Sequence, residues 1–197
     1  MILRPLTPAL LPVINFAIPL AVCIAIRNIL QQYNMNNNNV NIKWPNDIWI
    51  GNKKCCGVLL DIDVLSSQFI VSAGVGINVN EDMLLNNDTE LHNTATSLYM
   101  ECQRHVSREE LLAVICNELE RVLLQYNNTK DILVEYKQYD MLLDQSIIVM
   151  PKKKEDQSSY YDAICVGYTD DGYMRIRTSD GSESMLVSEE VSIRPNK

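Results

Sequence analysis

The chain has 197 residues and a mass of 22.5 kDa; 47% of its residues are hydrophobic and 21% charged. That is enough chain for one ordinary domain and a small second one, and a composition near the globular average excludes collagen-like, disulfide-scaffold and globally disordered classes. A formal charge of −8 and an isoelectric point near 4.8 repel a phosphate backbone and an anionic bilayer surface, so neither nucleic acid nor a membrane is expected as a partner.

The chain opens with a short strand over residues 2–4. From Pro5 to Ile26 there is no charged residue, a run that also fits a secretory or membrane segment. Pro5, Pro8, Pro12 and Pro19 interrupt it, and Thr7 and Asn15 add polarity, so a proline-rich turn and a buried helix ending near Gln32 are predicted instead. The asparagine-rich stretch 33–41 has no periodicity and reads as a surface loop. Residues 40–44 alternate and run into a turn at Pro45-Asn46-Asp47. Residues 48–50, a turn at Gly51-Asn52 and residues 57–64 predict a hairpin-like pair, followed by a strand over 69–80.

Ser107 with Glu110 is a capping box, and Leu111, Leu112, Ile115, Leu119, Val122 and Leu123 recur on one face of a long amphipathic helix reaching Tyr126. That helix closes a first domain of residues 1–142. From Ser146 the texture changes to short alternating runs, 147–150, 163–168, 174–178 and 185–187, separated by Asp170-Asp171-Gly172 and Ser179-Asp180-Gly181 turns. This spacing predicts a small all-β barrel in a second domain of residues 143–197. Lys152, Lys153 and Lys154, followed by Glu155 and Asp156, read as a solvated hairpin tip.

The six cysteines, Cys23, Cys55, Cys56, Cys102, Cys116 and Cys165, contain no Cys-x-x-Cys pair. His92 and His105 stand in no ligand spacing with them, which argues against zinc. Adjacent Cys55 and Cys56 are poorly placed to bridge one another, so reduced thiols in a reducing, cytoplasmic compartment are expected. With two histidines and no Gly-x-Ser-x-Gly elbow, the usual acid–base and nucleophile triads are absent. Chemistry in this chain has to rest on charge stabilisation and positioning.

Two clusters invite a ligand. Four of the seven glycines, Gly51, Gly57, Gly74 and Gly76, fall in one central stretch. On a strand Gly74, Gly76 and Asn78 share one face while Ala73, Val75, Ile77 and Val79 share the other, so two missing side chains leave a groove with a polar end. Tight packing against a helix would use the same glycines equally well. Residues 43–57 hold Lys43, Lys53 and Lys54 against Asp47, a local charge of +2 in a chain of −8. An anion would be drawn there, and an Asn-Asp turn can hydrogen-bond a ligand or hold Mg²⁺ through water. An exposed hairpin turn at Lys53-Lys54 is the plainer reading of the same residues.

Lys43-Trp44-Pro45-Asn46-Asp47-Ile48, then Lys54-Cys55-Cys56-Gly57-Val58-Leu59, then Gly74-Val75-Gly76-Ile77-Asn78-Val79-Asn80 resemble, in order and spacing, the three consecutive signatures of biotin protein ligases. The resemblance runs back through Leu3-Arg4-Pro5 and forward through Ala95-Thr96-Ser97-Leu98 and the long helix. It ends in a tail, with Glu190-Val191-Ser192-Ile193-Arg194, like the small domain that closes these enzymes. It implies an α/β (α+β) fold: a class II synthetase-like mixed sheet with helices, followed by a small SH3-like β-barrel. It also implies ATP-dependent ligation of biotin, through biotinyl-5′-AMP, to a lysine of a biotin carboxyl-carrier domain, with ATP, biotin and Mg²⁺ required. By position, Lys54 matches the lysine at biotin's carboxylate and the activated phosphate, and Gly57, Gly74 and Gly76 match the wall of the biotin pocket. Lys43, Asn46, Asp47 and Asn78 match the nucleotide side, with Asp47 placed to orient the acceptor amine or hold magnesium.

Relatives carry a Gly-Arg-Gly-Arg loop upstream of the strand matching residues 2–4, and these residues do not contain it. The expectation is a downstream part of a ligase, weak in biotin or ATP binding and prone to dimerise through an exposed sheet edge. A binding remnant without catalysis, or a lipoate-type ligase, remain as alternatives to the biotin ligase.

Overall fold

The computed structural model describes residues 1–4, 8–36, 39–65, 68–82, 93–151, 159–188 and 191–195. They form two compact units, Met1–Tyr139 and Asp140–Lys197. Pro5, Thr7, His92, the lysines Lys152, Lys153 and Lys154, and Glu190 lie outside the described residues.

The first unit is organised by a buried helix. α1 (Leu11–Gln32) has a proline within its first two positions, where no backbone donor is needed, and continues through Pro19. It ends at Gln32, as its sequence predicts, with Asn34 at φ 59° in the turn that follows. Apolar residues cover the helix all round, and a helix of that kind needs partners on every side. By length and composition it would suffice to cross a membrane, but 83% of its most apolar stretch is buried inside the unit.

Its partners are a sheet and two helices. β1 (Ile2–Leu3), β2 (Val40–Lys43), β3 (Asp47–Ile50), β4 (Lys53–Leu65) and β5 (Gln68–Ile77) form a sheet in the order β1-β5-β4-β3-β2. Short turns join β2 through β5, so these ladders are antiparallel, as is that of β1 with β5. Where the sequence implies a mixed sheet, parallel pairing among the described residues is confined to isolated bridges at Lys54↔Ala95 and, in the second unit, Leu143↔Cys165. After β5 come α2 (Leu98–Cys102), α3 (Arg108–Gln125) and α4 (Thr129–Tyr136); α1 packs on β2, β3 and β4 and against α3 and α4.

α3 starts where predicted: Ser107 Oγ accepts the Glu110 N–H at 3.1 Å and donates to Glu109 at 3.0 Å. Its buried stripe is narrower than its sequence suggests. Leu111, Leu119 and Val122 are buried, but Leu112 is 61% exposed. α4 supplies the cover that the wider stripe was expected to give, burying Ile132, Leu133 and Tyr136. Phe16 of α1 meets Tyr136 edge-on, centroids 4.9 Å apart. At the β2 margin Arg27 donates to the Val40 carbonyl from Nε at 2.8 Å and Nη2 at 2.6 Å. The same guanidinium lies 4.5 Å over the Tyr139 ring, and the Ile42 N–H donates to the Tyr139 carbonyl at 2.7 Å.

The second unit is a five-stranded antiparallel sheet of β6 (Ser146–Pro151), β7 (Tyr161–Tyr168), β8 (Met174–Thr178), β9 (Glu183–Leu186) and β10 (Val191–Pro195), in the order β10-β6-β7-β8-β9. Ile147, Val149, Ala163, Cys165, Met174 and Ile176 alternate into its core. Gly172 at φ 89° and Gly181 at φ 85° take the left-handed conformations that the Asp-Gly turns require. The α/β class stands, with strands consistent with the small SH3-like barrel.

Leu20 is fully buried in the middle of α1. Leu20→Ala is expected to cost about 2–5 kcal/mol of unfolding free energy, read as a lower urea midpoint at an unchanged m-value.

All six cysteines are unpaired, and all but Cys116 are buried. Burial pushes the Cys23 and Cys56 thiols up to about 12 and Cys165 up to about 11, and raises Cys55 still further. Iodoacetamide at pH 8 should therefore alkylate Cys116 first in the native protein, with those four thiols reacting only on denaturation; peptide mass spectrometry reads the order.

Candidate functional site

One extra residue aims the central lysine. β3 and β4 pair Asp47↔Gly57 and Ile48↔Cys56, then shift to Trp49↔Lys54 and Ile50↔Lys53, which leaves Cys55 unmatched on β4. In an unbroken strand Lys54 would share a face with Cys56 and Val58, which are buried. The bulge reverses the alternation, so that Lys54 and Gly57 share the open face while Cys55 and Cys56 are each 1% exposed. Lys53 and Lys54 are thus strand residues, not the tip of a hairpin turn.

Register then assembles the site. Lys43↔Asp47, Asp47↔Gly57 and Gly57↔Gly76 are successive cross-strand pairs, giving a row Lys43–Asp47–Gly57–Gly76 across four strands on one face, with Leu59↔Gly74 in the neighbouring row. Lys54 Nζ lies 2.6 Å from Asp47 Oδ1, with the lysine side chain 46% exposed. The glycines do two different jobs. A Cβ on Gly57 would come 3.1 Å from Lys54 Nζ, 3.2 Å from Lys54 Cε and 3.5 Å from Asp47 Oδ1, so Gly57 is the seat of the ion pair. A Cβ on Gly74 or Gly76 would meet no atom nearer than a backbone oxygen at 3.9 Å. Those two form an exposed floor beside the pair, on the face opposite buried Val71 and Ala73.

The remaining motif residues are held by the fold. Asn46 Nδ2 donates to the Val58 carbonyl, and the Val58 N–H returns to the Asn46 carbonyl at 2.8 Å, which ties the turn before β3 to β4. Lys43 Nζ sits 4.6 Å over the Trp49 ring, whose indole N–H is buried with no hydrogen-bond partner among the described residues. Asn78, just past β5, donates from Nδ2 to the Thr96 carbonyl at 3.0 Å. The site therefore brings together Lys54, Asp47 and the three glycines, with Lys43 at the far end of the row. Asn46 and Asn78 each donate from Nδ2 to a backbone carbonyl.

The segment Ala95-Thr96-Ser97 supports Lys54 from behind. Ala95 bridges Lys54, and the Thr96 N–H donates to the Lys54 carbonyl at 2.9 Å. Thr96 and Ser97 are 1% and 0% exposed. Ser97 caps α2 by accepting the Met100 N–H at 3.1 Å, and Thr96 Oγ1 donates to Glu101 Oε1 at 2.7 Å. Thr-Ser before a short apolar helix was the signal available for this cap. Among the described residues no three His, Cys, Asp or Glu cluster as metal ligands. One carboxylate, already facing a lysine, fits a magnesium ion delivered on phosphates and not a resident metal cage.

A five-stranded antiparallel sheet backed by helices, with Lys43, Lys54 and Asp47 on its open face, and a separate small β unit define the class of fold. Residues 4–78 match the sequence profile of the biotin/lipoate A/B protein ligase family. The chain is 28% identical over 165 residues to biotin–protein ligase 2 of Arabidopsis thaliana, covering 83% of this chain and 49% of that protein. It is equally similar to the chloroplastic biotin–protein ligase 1 of the same plant, covering 44% of it. The chain thus spans about half the length of the curated relatives it matches. Among solved structures, the apo biotin protein ligase of Aquifex aeolicus superposes with a TM-score of 0.71 at 21% identity, over 99% of this chain and 81% of that one. The Leishmania major ligase bound to biotinyl-5-AMP does so with a TM-score of 0.56 at 18% identity, over 95% and 76%. The fold is that of biotin protein ligases, and the resemblance read from the three motifs is borne out.

Gly57→Ala and Gly76→Ala separate the two glycine jobs. Gly57→Ala should displace Lys54 from Asp47, and Gly76→Ala should leave the pair intact. Crystal structures of the two variants check the Lys54–Asp47 distance; both should fold, with melting temperatures within a few degrees of wild type.

Proposed function

We propose that this chain carries the catalytic core of a biotin ligase: it activates biotin with ATP and passes the biotinyl group to a lysine of a carrier domain. The observation that carries this reading is Lys54, turned by the Cys55 bulge onto the same face as the Gly57, Gly74 and Gly76 groove. The local charge of +2 over residues 43–57 in an acidic chain draws anions to that face. Support also comes from proteins of the same fold, the Aquifex aeolicus ligase in complex with biotin and ATP and the Leishmania major ligase with biotinyl-5-AMP.

In the first step a biotin carboxylate oxygen attacks the α-phosphorus of ATP and pyrophosphate leaves, giving biotinyl-5′-AMP. Two anions have to meet, and the Lys54 ammonium offsets their repulsion and the charge that develops on the phosphoryl oxygens. The open floor over Gly74 and Gly76 lets a flat, apolar ring system approach the backbone. In the second step the neutral amine of the acceptor lysine attacks the acyl carbon, AMP leaves, and the amine gives up a proton. Asp47, beside Lys54, is placed to orient that amine. Magnesium, when bound, would neutralise the phosphate charge, with Asp47 as its protein contact. A carboxyl-carrier domain as acceptor and a reducing, cytoplasmic compartment complete the proposal.

Lys54→Ala is expected to lower biotin-dependent ATP–pyrophosphate exchange by roughly 10²–10³-fold while the thermal melt moves by no more than a few degrees. Exchange that survives the substitution overturns the assignment of Lys54. The matching family profile covers biotin and lipoate ligases together, so exchange driven by lipoate and not by biotin would move the substrate to the lipoyl class.

A further inference from the structure

The backbone around Lys54 is tied to two segments distant in sequence, and each tie ends on a buried or half-buried polar group. The Asn78 N–H donates to the Cys55 carbonyl at 2.9 Å, and the Cys55 Sγ–H points back to the Asn78 carbonyl at 3.7 Å. That carbonyl also accepts the Leu98 N–H at 3.1 Å. Asn78 Nδ2 donates to the Thr96 carbonyl, and the Thr96 N–H donates to the Lys54 carbonyl. A closed circuit results: Lys54–Cys55, Asn78 and Thr96 are each bonded to the other two. Thr96 Oγ1 anchors the circuit to α2 through Glu101.

We propose that Asn78 and Thr96 are positioning residues that hold the Cys55 bulge and so keep the Lys54 ammonium over the groove. A bulge is an irregularity that the ladder alone would anneal by shifting register, and a one-residue slip would turn Lys54 to the core face. The circuit removes that freedom because slipping β4 past β3 would break the bonds from Asn78 to Cys55 and from Thr96 to Lys54 together. This assigns Asn78 a role different from the nucleotide contact implied by resemblance, since its Nδ2 donates to the Thr96 carbonyl.

The proposal rests on the ligase reading for its kinetic test but not for its chemical one. Asn78→Asp keeps the shape of the side chain and removes the donor. Thr96→Val keeps shape and loses the bond to Glu101, whereas Thr96→Ser retains it. Asn78→Asp and Thr96→Val should lower pyrophosphate exchange at saturating ATP and biotin by about 10²-fold, leave KM for ATP within about twofold, and have no further effect in a Lys54→Ala background. Thr96→Ser should restore the rate. In parallel, acylation of lysines by a dilute N-hydroxysuccinimide ester, read by peptide mass spectrometry, should change at Lys54 in both variants and stay constant at Lys43 and Lys53. A raised KM for ATP with unchanged kcat and unchanged Lys54 acylation makes Asn78 a nucleotide contact and overturns the proposal. Absence of exchange in the wild type instead counts against the ligase reading, and Lys54 acylation still decides the positioning role. Should Asn78→Asp fail to fold, judged by its thermal melt, the Thr96→Val and Thr96→Ser pair carries the decision.

Discussion

β4 meets β3 with one residue more than the pairing can use, and that surplus decides what the open face of the sheet can do. Were Cys55 paired with Trp49 in regular register, the side chain of Lys54 would belong to the same face as Cys56 and Val58, in the apolar layer under α1. A bare ammonium there would be desolvated with no carboxylate beside it, since Asp47 lies on the other face. With Cys55 left out of the ladder the lysine turns out, meets Asp47 at 2.6 Å and rests over Gly57. The half-exposed setting matters as well. A pair of this kind contributes little to stability, so a ligand carboxylate or phosphate can compete for the lysine without unfolding anything.

The floor beneath the pair depends on α1. Glycine pairs weaken a sheet, because two adjacent strands lose cross-strand side-chain contacts where Gly57 faces Gly76. The opposite face compensates: Val58, Val71 and Ala73 are buried, and α1, apolar on every side, lies across β2, β3 and β4. A smooth, side-chain-poor face is tolerable because the reverse face is heavily packed. This division of labour explains how one sheet carries both the core of the unit and an open face poor in side chains.

Much of this was legible in the residues. Period-two alternation placed Gly74 and Gly76 on one face and Ala73 on the other, and the absence of charge with interrupting prolines marked α1 as a core helix ending at Gln32. The Asp-Gly turns set the strand rhythm of the second unit. The bulge was not legible by the same rule, since Lys53-Lys54-Cys55-Cys56-Gly57 breaks alternation and a broken pattern reads as a turn. In retrospect, two charged and two apolar residues in succession between strand-like segments are what a bulge requires. α4 escaped notice because eight residues offer a weak helical period, and Leu112 was assigned to the core because periodicity cannot say how wide a partner surface is. The ties of Asn46 and Asn78 to Val58 and Thr96 join residues 12 and 18 positions apart, contacts that only the folded register creates.

At both margins of the first sheet, outward backbone groups are already engaged. At β2 the outward carbonyl of Val40 is taken by Arg27 and the outward N–H of Ile42 by Tyr139, so the groups through which a foreign strand would zip on are already engaged. At the opposite margin Ile2 and Leu3 of β1 pair with Ser72 and Val71 of β5, and Met1 exchanges hydrogen bonds with Ala73 in both directions. A chain that would extend the sheet by backbone pairing finds these groups of the β2 margin already closed to it.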